Sequence, residues 1–174
     1  VGGKTNICYN CLDAQIEKGR GDKVALLFQG EPEADCKRFT YNDLLKHVCR
    51  FANVLKKNGV KKGDRIVLYL PMIWQLPVVM LACARIGAVH TVVFGGFSAE
   101  ALADRMLACG AKKMVTTNGY WRSGQKINAK ANADKACMLC ANAGLTIDDV
   151  FVVDRMVDFE VPYITYRDTS LSKE

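Results

Sequence analysis

"DRIVLYLPMIWQLPVVMLACARIGAVHTVVFGGFSAEALADRM", residues 64–106, is the stretch that decides the fold. Its first part, "DRIVLYLP", is short and continuously apolar, which is typical of a strand covered on both faces in a parallel sheet. A helix is predicted over about residues 73–85, with Gly87 ending it, and "AVHTVVF" is predicted as the next strand. Strand, helix and strand in this order form a βαβ unit.

The same alternation continues along the chain. A second crossover helix is predicted over residues 98–109 and ends at Gly110, and "KKMVTTNG" follows it as a third strand. Another helix, over about residues 127–143, leads to a fourth strand in "DDVFVVDR". Repeated βαβ units with short connections predict the α/β class, with a doubly wound, mainly parallel sheet.

The flanking segments have different patterns. "FTYNDLLKHVCRFANVLKKNG" is the clearest helix, with Thr40 and Asp43 as a capping pair at its start and Gly59 at its end. "KVALLFQG" and "KRFTY" are predicted as an outlying, antiparallel strand pair. We therefore divide the chain into an N-terminal helix and edge strand (1–36), a βαβ-repeat lobe (37–155), and a polar tail or connection to a missing remainder (156–174).

Composition limits the function classes. The chain has 174 residues, half of them hydrophobic, and a mean hydropathy of +0.02, as expected for a soluble globular domain. Its net charge of +6 suits anionic small molecules, and we interpret the lysines near the end of the "FTYN" helix as a solvated face. Neither a nucleic-acid partner nor a membrane partner is predicted, because the basic residues are spread out and no apolar run spans a bilayer. The start shows no signal peptide, which leaves open that an upstream piece has been removed.

The eight cysteines are expected to be free thiols, because they fall mostly inside apolar, periodic segments. They indicate a reducing compartment, for which we predict the cytoplasm and leave the nucleus and the mitochondrial matrix open. Two CxxC pairs, "CYNC" and "CMLC", are separated by far more residues than a zinc site allows. Helical patterning predicts that both pairs enter the core, so no metal site is predicted.

Ligands of open α/β sheets gather at the carboxyl ends of the strands. After "AVHTVVF" comes a double-glycine turn followed by Ser98 as a helix cap, an arrangement that presents free N–H groups to a phosphate but is also common as a plain tight turn. Neither GxGxxG nor GxxxxGK[ST] occurs. The loop "NGYWRSGQK" follows the next strand and brings glycines, aromatic residues and Arg122 to the same edge. His47 and His90 are interpreted as structural, and no catalytic residue is predicted.

Several stretches resemble a known family. "YNCLD", "VCRFANVLKKNGVKKGDR", "ACARIGAVHTVVFGGFSAEALADR" and "GAKKMVTTNG" are similar to the N-terminal part of AMP-forming acetyl-CoA synthetases, of the adenylate-forming acyl-CoA synthetase superfamily. The resemblance covers residues 2–155. It implies one lobe of a larger enzyme in which acetate attacks ATP to give acetyl-adenylate and CoA then takes the acetyl group. It also implies that the ATP site, the Mg²⁺ site and the catalytic lysine lie beyond the last residue, so that this fragment is inactive by itself.

Within this piece the resemblance implies part of a site for the nucleotide end of CoA. It is formed by a Phe-Gly-Gly turn and by a later Arg-Gly-Gly-Arg loop, whose last three positions here read Ser-Gly-Gln. The implied CoA-binding residues are Phe94, Gly95, Gly96, Arg122, Ser123, Gly124 and Gln125. Glutamine brings no charge to the CoA phosphates, and the neighbouring Lys126 is the cation that could compensate. Two alternatives remain open: a propionyl-CoA or other short-chain acyl-CoA synthetase, and a stand-alone α/β module that binds CoA or a nucleotide.

Overall fold

A computed structural model describes residues 2–171. They form two compact units, one made of residues 2–64 and 73–89 and the other of residues 65–72 and 90–171. The predicted segments 1–36, 37–155 and 156–174 follow a different division and stay a prediction about domain organisation. Val1 and residues 172–174, at the ends of the first and last segments, lie outside the described residues.

The first unit is mainly helical. It contains a two-stranded antiparallel sheet of β1 and β2, as the sequence predicts. Its elements are α1 (Ile7–Cys11), α2 (Asp13–Gln15), a π-helical turn broken at Gly19 (Ile16–Arg20), β1 (Val24–Gln29), β2 (Cys36–Thr40), α3 (Tyr41–Lys57) and α4 (Gln75–Ile86).

Local signals explain where the two long helices of this unit begin and end. Thr40 accepts a hydrogen bond from the N–H of Asp43 at 3.1 Å, and the Asp43 carboxylate accepts one from the N–H of Thr40 at 3.0 Å, which completes the predicted capping box. Gly87 takes the left-handed conformation, with a φ of +76°, that ends α4. The two helices pack together through buried side chains, among them Val48, Leu55, Val79 and Cys83.

The second unit contains a five-stranded sheet in the order β4-β3-β5-β8-β9. The pairs β3–β5, β5–β8 and β8–β9 are parallel. Its strands are β3 (Arg65–Leu70), β4 (Val89–Phe94, from residue 90 onward in this unit), β5 (Lys113–Thr117), β8 (Asp149–Val153) and β9 (Asp168–Ser170). The prediction of a doubly wound, mainly parallel α/β sheet is confirmed.

Two helices and a hairpin complete the second unit: α5 (Ala99–Cys109), α6 (Ala129–Asn142), and β6 (Tyr120–Arg122) with β7 (Gln125–Ile127). Apolar residues of α5 and α6 pack on the sheet in one core that includes Val67, Leu102, Met114 and Val150. The hairpin was expected to be a loop, and its two strands of three residues are too short to show a period of their own. Among residues 2–171, no helix is both long and apolar enough to cross a membrane.

The segment after β8 was expected to be a tail or a connection, but part of it belongs to the sheet. Lys130 of α6 is fully buried, and its Nζ lies 2.7 Å from Asp134 Oδ1 and 2.8 Å from Asp168 Oδ2 of β9. Arg167 Nε donates to Asp168 Oδ1 at 2.7 Å, and Arg167 Nη2 contacts Asp134. Burial alone would raise the pKa of Asp168, but the hydrogen bonds from Arg167, the Ile164 N–H and Lys130 outweigh it and lower that pKa. We call Lys130, Asp134, Arg167 and Asp168 the buried charge network.

Candidate functional site

The double-glycine turn after β4 lies directly against the end of β3. A Cβ atom on Gly95 would be 3.0 Å from the Pro71 nitrogen and 3.3 Å from the Leu70 carbonyl carbon. Both atoms belong to the backbone and cannot rotate away. A side chain at position 95 would therefore push the two chain segments apart by a few tenths of an ångström, which favours glycine at this position.

Two buried tyrosine hydroxyls hold this turn. The hydroxyl of Tyr69, from β3, lies 2.9 Å from the carbonyl oxygen of Gly95 and 2.8 Å from that of Phe97. The hydroxyl of Tyr120, from β6, donates to the same Gly95 oxygen at 2.8 Å. Asn132 of α6 donates to the Tyr69 oxygen at 3.4 Å, and burial raises the pKa of Tyr69. The turn is fixed by residues from three other elements.

The N-terminus of α5 follows the turn and carries a carboxylate in its first turn, that of Glu100. Ser98 Oγ accepts the N–H of Ala101 at 3.3 Å, so the predicted cap is present. Lys135 lies 2.6 Å from the Glu100 carboxylate and, together with the backbone N–H of Glu100 and the Ser98 hydroxyl, lowers the pKa of Glu100 to about 2. A carboxylate that already uses these donors leaves the helix end poorly suited to a phosphate.

The β6–β7 hairpin brings Arg122 to the turn. Arg122 pairs with Gln125 across the two-residue connection of Ser123 and Gly124, whose φ angles are +52° and +74°. Positive φ at both central positions is the type I′ geometry that suits a tight hairpin. Ser123 is the only non-glycine residue with positive φ in the described part of the chain.

The Arg122 guanidinium lies on the double-glycine turn. Its carbon Cζ is 5.6 Å from the centroid of the Phe94 ring, within the range of a cation–π contact. A Cβ on Gly96 would collide with Nη1 of Arg122, so glycine at this position leaves room for the guanidinium. Phe94 is 46% exposed and meets the Phe97 ring edge-on at 6.2 Å. The structure therefore brings the two predicted loops together, with a cation and an aromatic ring at the surface.

The hairpin places the remaining predicted residues on two faces. Gln125 lies opposite Arg122, and cross-strand partners share a face of the hairpin. Lys126 pairs with Trp121 one position along, and its Nζ is 5.5 Å from the centroid of the Trp121 ring. Because neighbouring residues of a strand alternate between faces, Lys126 points away from Arg122. The expectation that Lys126 compensates for Gln125 does not fit this arrangement.

Asn118, the first residue of the "NGYWRSGQK" loop, supports the site structurally. The sequence places it among the candidate ligand positions at the strand ends but predicts no structural role for it. Its side chain is buried and donates to the carbonyl oxygen of Met156 at 2.8 Å, while its Oδ1 accepts the N–H groups of Gly119, Arg155 and Met156 at 2.8–3.1 Å. These bonds join the start of the hairpin to the segment after β8. A lone asparagine at a strand end carries no sequence signal for such a role.

The cysteines and histidines add no reactive group to this surface. All eight cysteines are free, as predicted. Cys8, Cys137 and Cys140 are buried, but Cys11 is exposed, so the expectation that both CxxC pairs enter the core is wrong for the first pair. His47 packs against the Phe39 and Trp74 rings, and burial lowers its pKa. In the range 2–171, no group of three or more His, Cys, Asp or Glu side chains could hold a metal ion.

Comparison with known proteins identifies the family. The profile of the family described as "AMP-binding enzyme" matches residues 12–164, which is most of the chain. The chain belongs to this family. Acetyl-coenzyme A synthetase of Drosophila melanogaster is 44% identical over 96% of this chain and 27% of its own length. Acetyl-coenzyme A synthetase of Rubrobacter xylanophilus is 49% identical over 97% of this chain and 25% of its own length.

A plant acetyl-coenzyme A synthetase is also similar to this chain. The chloroplastic/glyoxysomal acetyl-coenzyme A synthetase of Arabidopsis thaliana is 51% identical over 84% of this chain and 20% of its own length. The chain thus spans about a quarter of the length of the relatives that it matches. The matched range of the AMP-binding family, residues 12–164, includes both the double-glycine turn and the β6–β7 hairpin.

Proposed function

We propose that this chain is the N-terminal part of an acetate–CoA ligase, which makes acetyl-CoA from acetate, ATP and CoA through acetyl-adenylate. The likeness to three proteins named acetyl-coenzyme A synthetase supports this substrate set. With eight free thiols, we place the enzyme in a reducing compartment such as the cytoplasm. Bound Mg²⁺ would offset charge on the ATP phosphates in the first step, but the described residues offer no cluster to hold it. We assign this ion to another part of the enzyme.

The role that we assign to this chain is to bind the nucleotide end of CoA. The observation that carries the assignment is the contact of Arg122 with the Phe94-Gly95-Gly96 turn, which joins two loops from different strands. No salt bridge to an acid of the described range occupies Arg122, and its guanidinium carries five N–H donors that match phosphate geometry. The exposed Phe94 ring offers a flat apolar surface beside it.

In the second step of the proposed reaction, the CoA thiol attacks the carbonyl carbon of acetyl-adenylate, and AMP leaves. Residues of this chain act at the opposite end of CoA from that thiol. They contribute by holding the nucleotide in place, so that the thiol is confined near the acyl carbon. We therefore expect this chain to bind CoA but to release no AMP when it is given ATP, acetate and CoA. Release of AMP above background by the 174-residue chain would contradict the expectation that it is inactive by itself.

Binding of CoA to the chain tests the site directly. Isothermal titration should show that Arg122→Gln weakens CoA binding at least about tenfold, because a hydrogen bond to a charged phosphate contributes about 1.5–3 kcal/mol. Arg50→Gln removes the same charge from an exposed position on α3 and should leave CoA affinity unchanged. Pantetheine, which lacks the nucleotide, should bind no differently to Arg122→Gln than to the unaltered chain. Equal losses for the two arginine variants would show a general charge effect and overturn the proposed site.

Acyl-chain choice is tested in the full-length enzyme. We expect a higher kcat/KM with acetate than with propionate, measured by AMP release. A preference for propionate would favour the short-chain alternative, and it would leave the CoA-binding role of this chain intact.

A further inference from the structure

A basic cleft lies in the first unit, where α3 and α4 end. Its volume is about 520 Å³, within the range of pockets that hold small molecules. All of its lining residues belong to the first unit, whereas the proposed CoA site is built from the second. The cleft is lined by Cys49, Ala52, Asn53, Lys56, Val60, Lys61, Lys62, Arg85 and Ile86.

The positive charge of this basic cleft is only partly balanced. Arg85 is matched by Asp13, which accepts two hydrogen bonds from its guanidinium at 2.8 and 2.9 Å. Lys56, Lys61 and Lys62 form no salt bridge with any residue of the described range. Three exposed lysines without a carboxylate partner therefore line one cleft.

The dipole of α3 explains the position of only one of these three lysines. Lys56 lies in the last turn of α3, where a cation is favourable. The carbonyl groups at this end already have partners, however. The N–H groups of Gly59 and Val60 donate to the carbonyl oxygens of Lys56 and Leu55, each at 3.0 Å. Lys61 and Lys62 lie beyond the helix and gain little from its dipole, which acts within the last turn.

The turn that carries these two lysines is held in place. The N–H of Lys61 donates to the Asp64 carboxylate at 2.9 Å, and the N–H of Gly63 donates to the carbonyl oxygen of Gly87 at 2.9 Å. A Cβ on Gly87 would be 2.9 Å from Cγ of Lys62, so the stem of this lysine lies directly on the Gly87 backbone. Four cations line the basic cleft, and the two carboxylates bonded to its lining residues, Asp13 and Asp64, are not themselves lining residues.

We propose that the basic cleft binds a small organic anion with two or three phosphate or carboxylate charges. Its charged groups would accept hydrogen bonds from Lys56, Lys61 and Lys62. Its short apolar body would lie on the side chains of Ala52 and Val60 at the floor, which are buried, and of Ile86. This site is independent of the proposed CoA site and requires no ligase activity.

Titration of the 174-residue chain with pyrophosphate and with ADP tests the proposal, with backbone amide shifts as the readout. We expect shifts centred on residues 60–63, with ADP binding more tightly because it also has an apolar body. The double substitution Lys61→Gln, Lys62→Gln should weaken ADP binding at this site at least about tenfold. The matched control Lys18→Gln, Lys46→Gln removes the same charge from exposed positions outside the cleft and should change affinity less than about twofold.

Three results would overturn the basic cleft as a site. The first is the absence of shifts at residues 60–63 up to about 10 mM ligand. The second is an equal loss of affinity in the cleft variant and in the control variant, which would show attraction to net charge alone. The third is a set of ADP shifts confined to residues 120–127 and abolished by Arg122→Gln, which would support the CoA site instead. Loss of CoA binding without loss of the shifts at residues 60–63 would contradict only the proposed function.

Discussion

Two arginines of the second unit lie in opposite kinds of surroundings. Arg167 is buried and meets two carboxylates, Asp134 and Asp168, within the buried charge network. Arg122 is exposed and rests on an aromatic ring and a glycine backbone, without an acid of the described range as a salt-bridge partner. Arg167 has its counter-charge inside the fold and so stabilises the position of β9. Arg122 is free to meet an anion from outside.

The largest expected effect comes from removing one carboxylate of the buried charge network. Asp168→Asn leaves Lys130 fully buried with one carboxylate fewer, and we expect the free energy of unfolding to fall by about 3–5 kcal/mol in urea denaturation. Asp148→Asn, at an exposed position, should change it by less than about 0.5 kcal/mol.

A second substitution separates a charge effect from lost packing. Lys130→Met removes the buried cation, so the pair Lys130→Met, Asp168→Asn should be more stable than Asp168→Asn alone. If the pair is as unstable as the sum of the two single variants, the loss is not caused by an unpaired buried charge.

The next effect concerns the tyrosines that hold the turn under Arg122. Tyr120→Phe removes one of two hydroxyls that reach the Gly95 carbonyl oxygen, and should lower the free energy of unfolding by about 1 kcal/mol. Tyr69→Phe leaves Tyr120 as a donor to Gly95. It also removes the contacts of the Tyr69 hydroxyl with the Phe97 carbonyl oxygen and with Asn132, so it should cost more than Tyr120→Phe. The double variant should lose more than the sum of both, because neither hydroxyl then reaches this buried oxygen. If urea denaturation shows that the double variant loses only the sum of the free energies lost by the two single variants, the two hydroxyls do not share one acceptor.

How far these features can be predicted from the sequence depends on the range of the interactions. The capping box of α3 and the strands β3, β5 and β8 follow from residues that are close in sequence, and they were predicted. The short polar strand β9 was not, because it pairs with β8 and its Asp168 is held by Lys130, which is distant in sequence. The two loops of the candidate site were expected to be neighbours on topological grounds. The tyrosine hydroxyls that fix them depend on tertiary packing, which no local pattern encodes.

A smaller effect is expected at the tip of the hairpin that carries Arg122. Ser123 has a φ of +52°, a conformation that asparagine adopts more readily than serine. Ser123→Asn should raise the free energy of unfolding by about 0.5 kcal/mol, measured by urea denaturation. Ser123→Val is the contrasting control and should lower it, because a β-branched side chain is strained at positive φ. A stabilising valine would show that position 123 does not keep this backbone conformation.

The smallest effect on stability, but the most informative one for the comparison, is expected from Gln125→Arg. Without ligand, the introduced guanidinium would lie opposite Arg122 on one face of the hairpin, and like charges in this position should cost a few tenths of a kcal/mol. If the proposed CoA site is correct, a phosphate removes this repulsion and accepts hydrogen bonds from both guanidinium groups, so CoA should bind severalfold more tightly. Lys126→Arg keeps the charge on the opposite face and should leave CoA affinity unchanged.

A stability loss in the Gln125→Arg variant with no gain in CoA affinity would mean that the two side chains face each other without a phosphate between them. Arg122 would then be exposed for a reason other than CoA, and the contrast with Arg167 would concern stability alone.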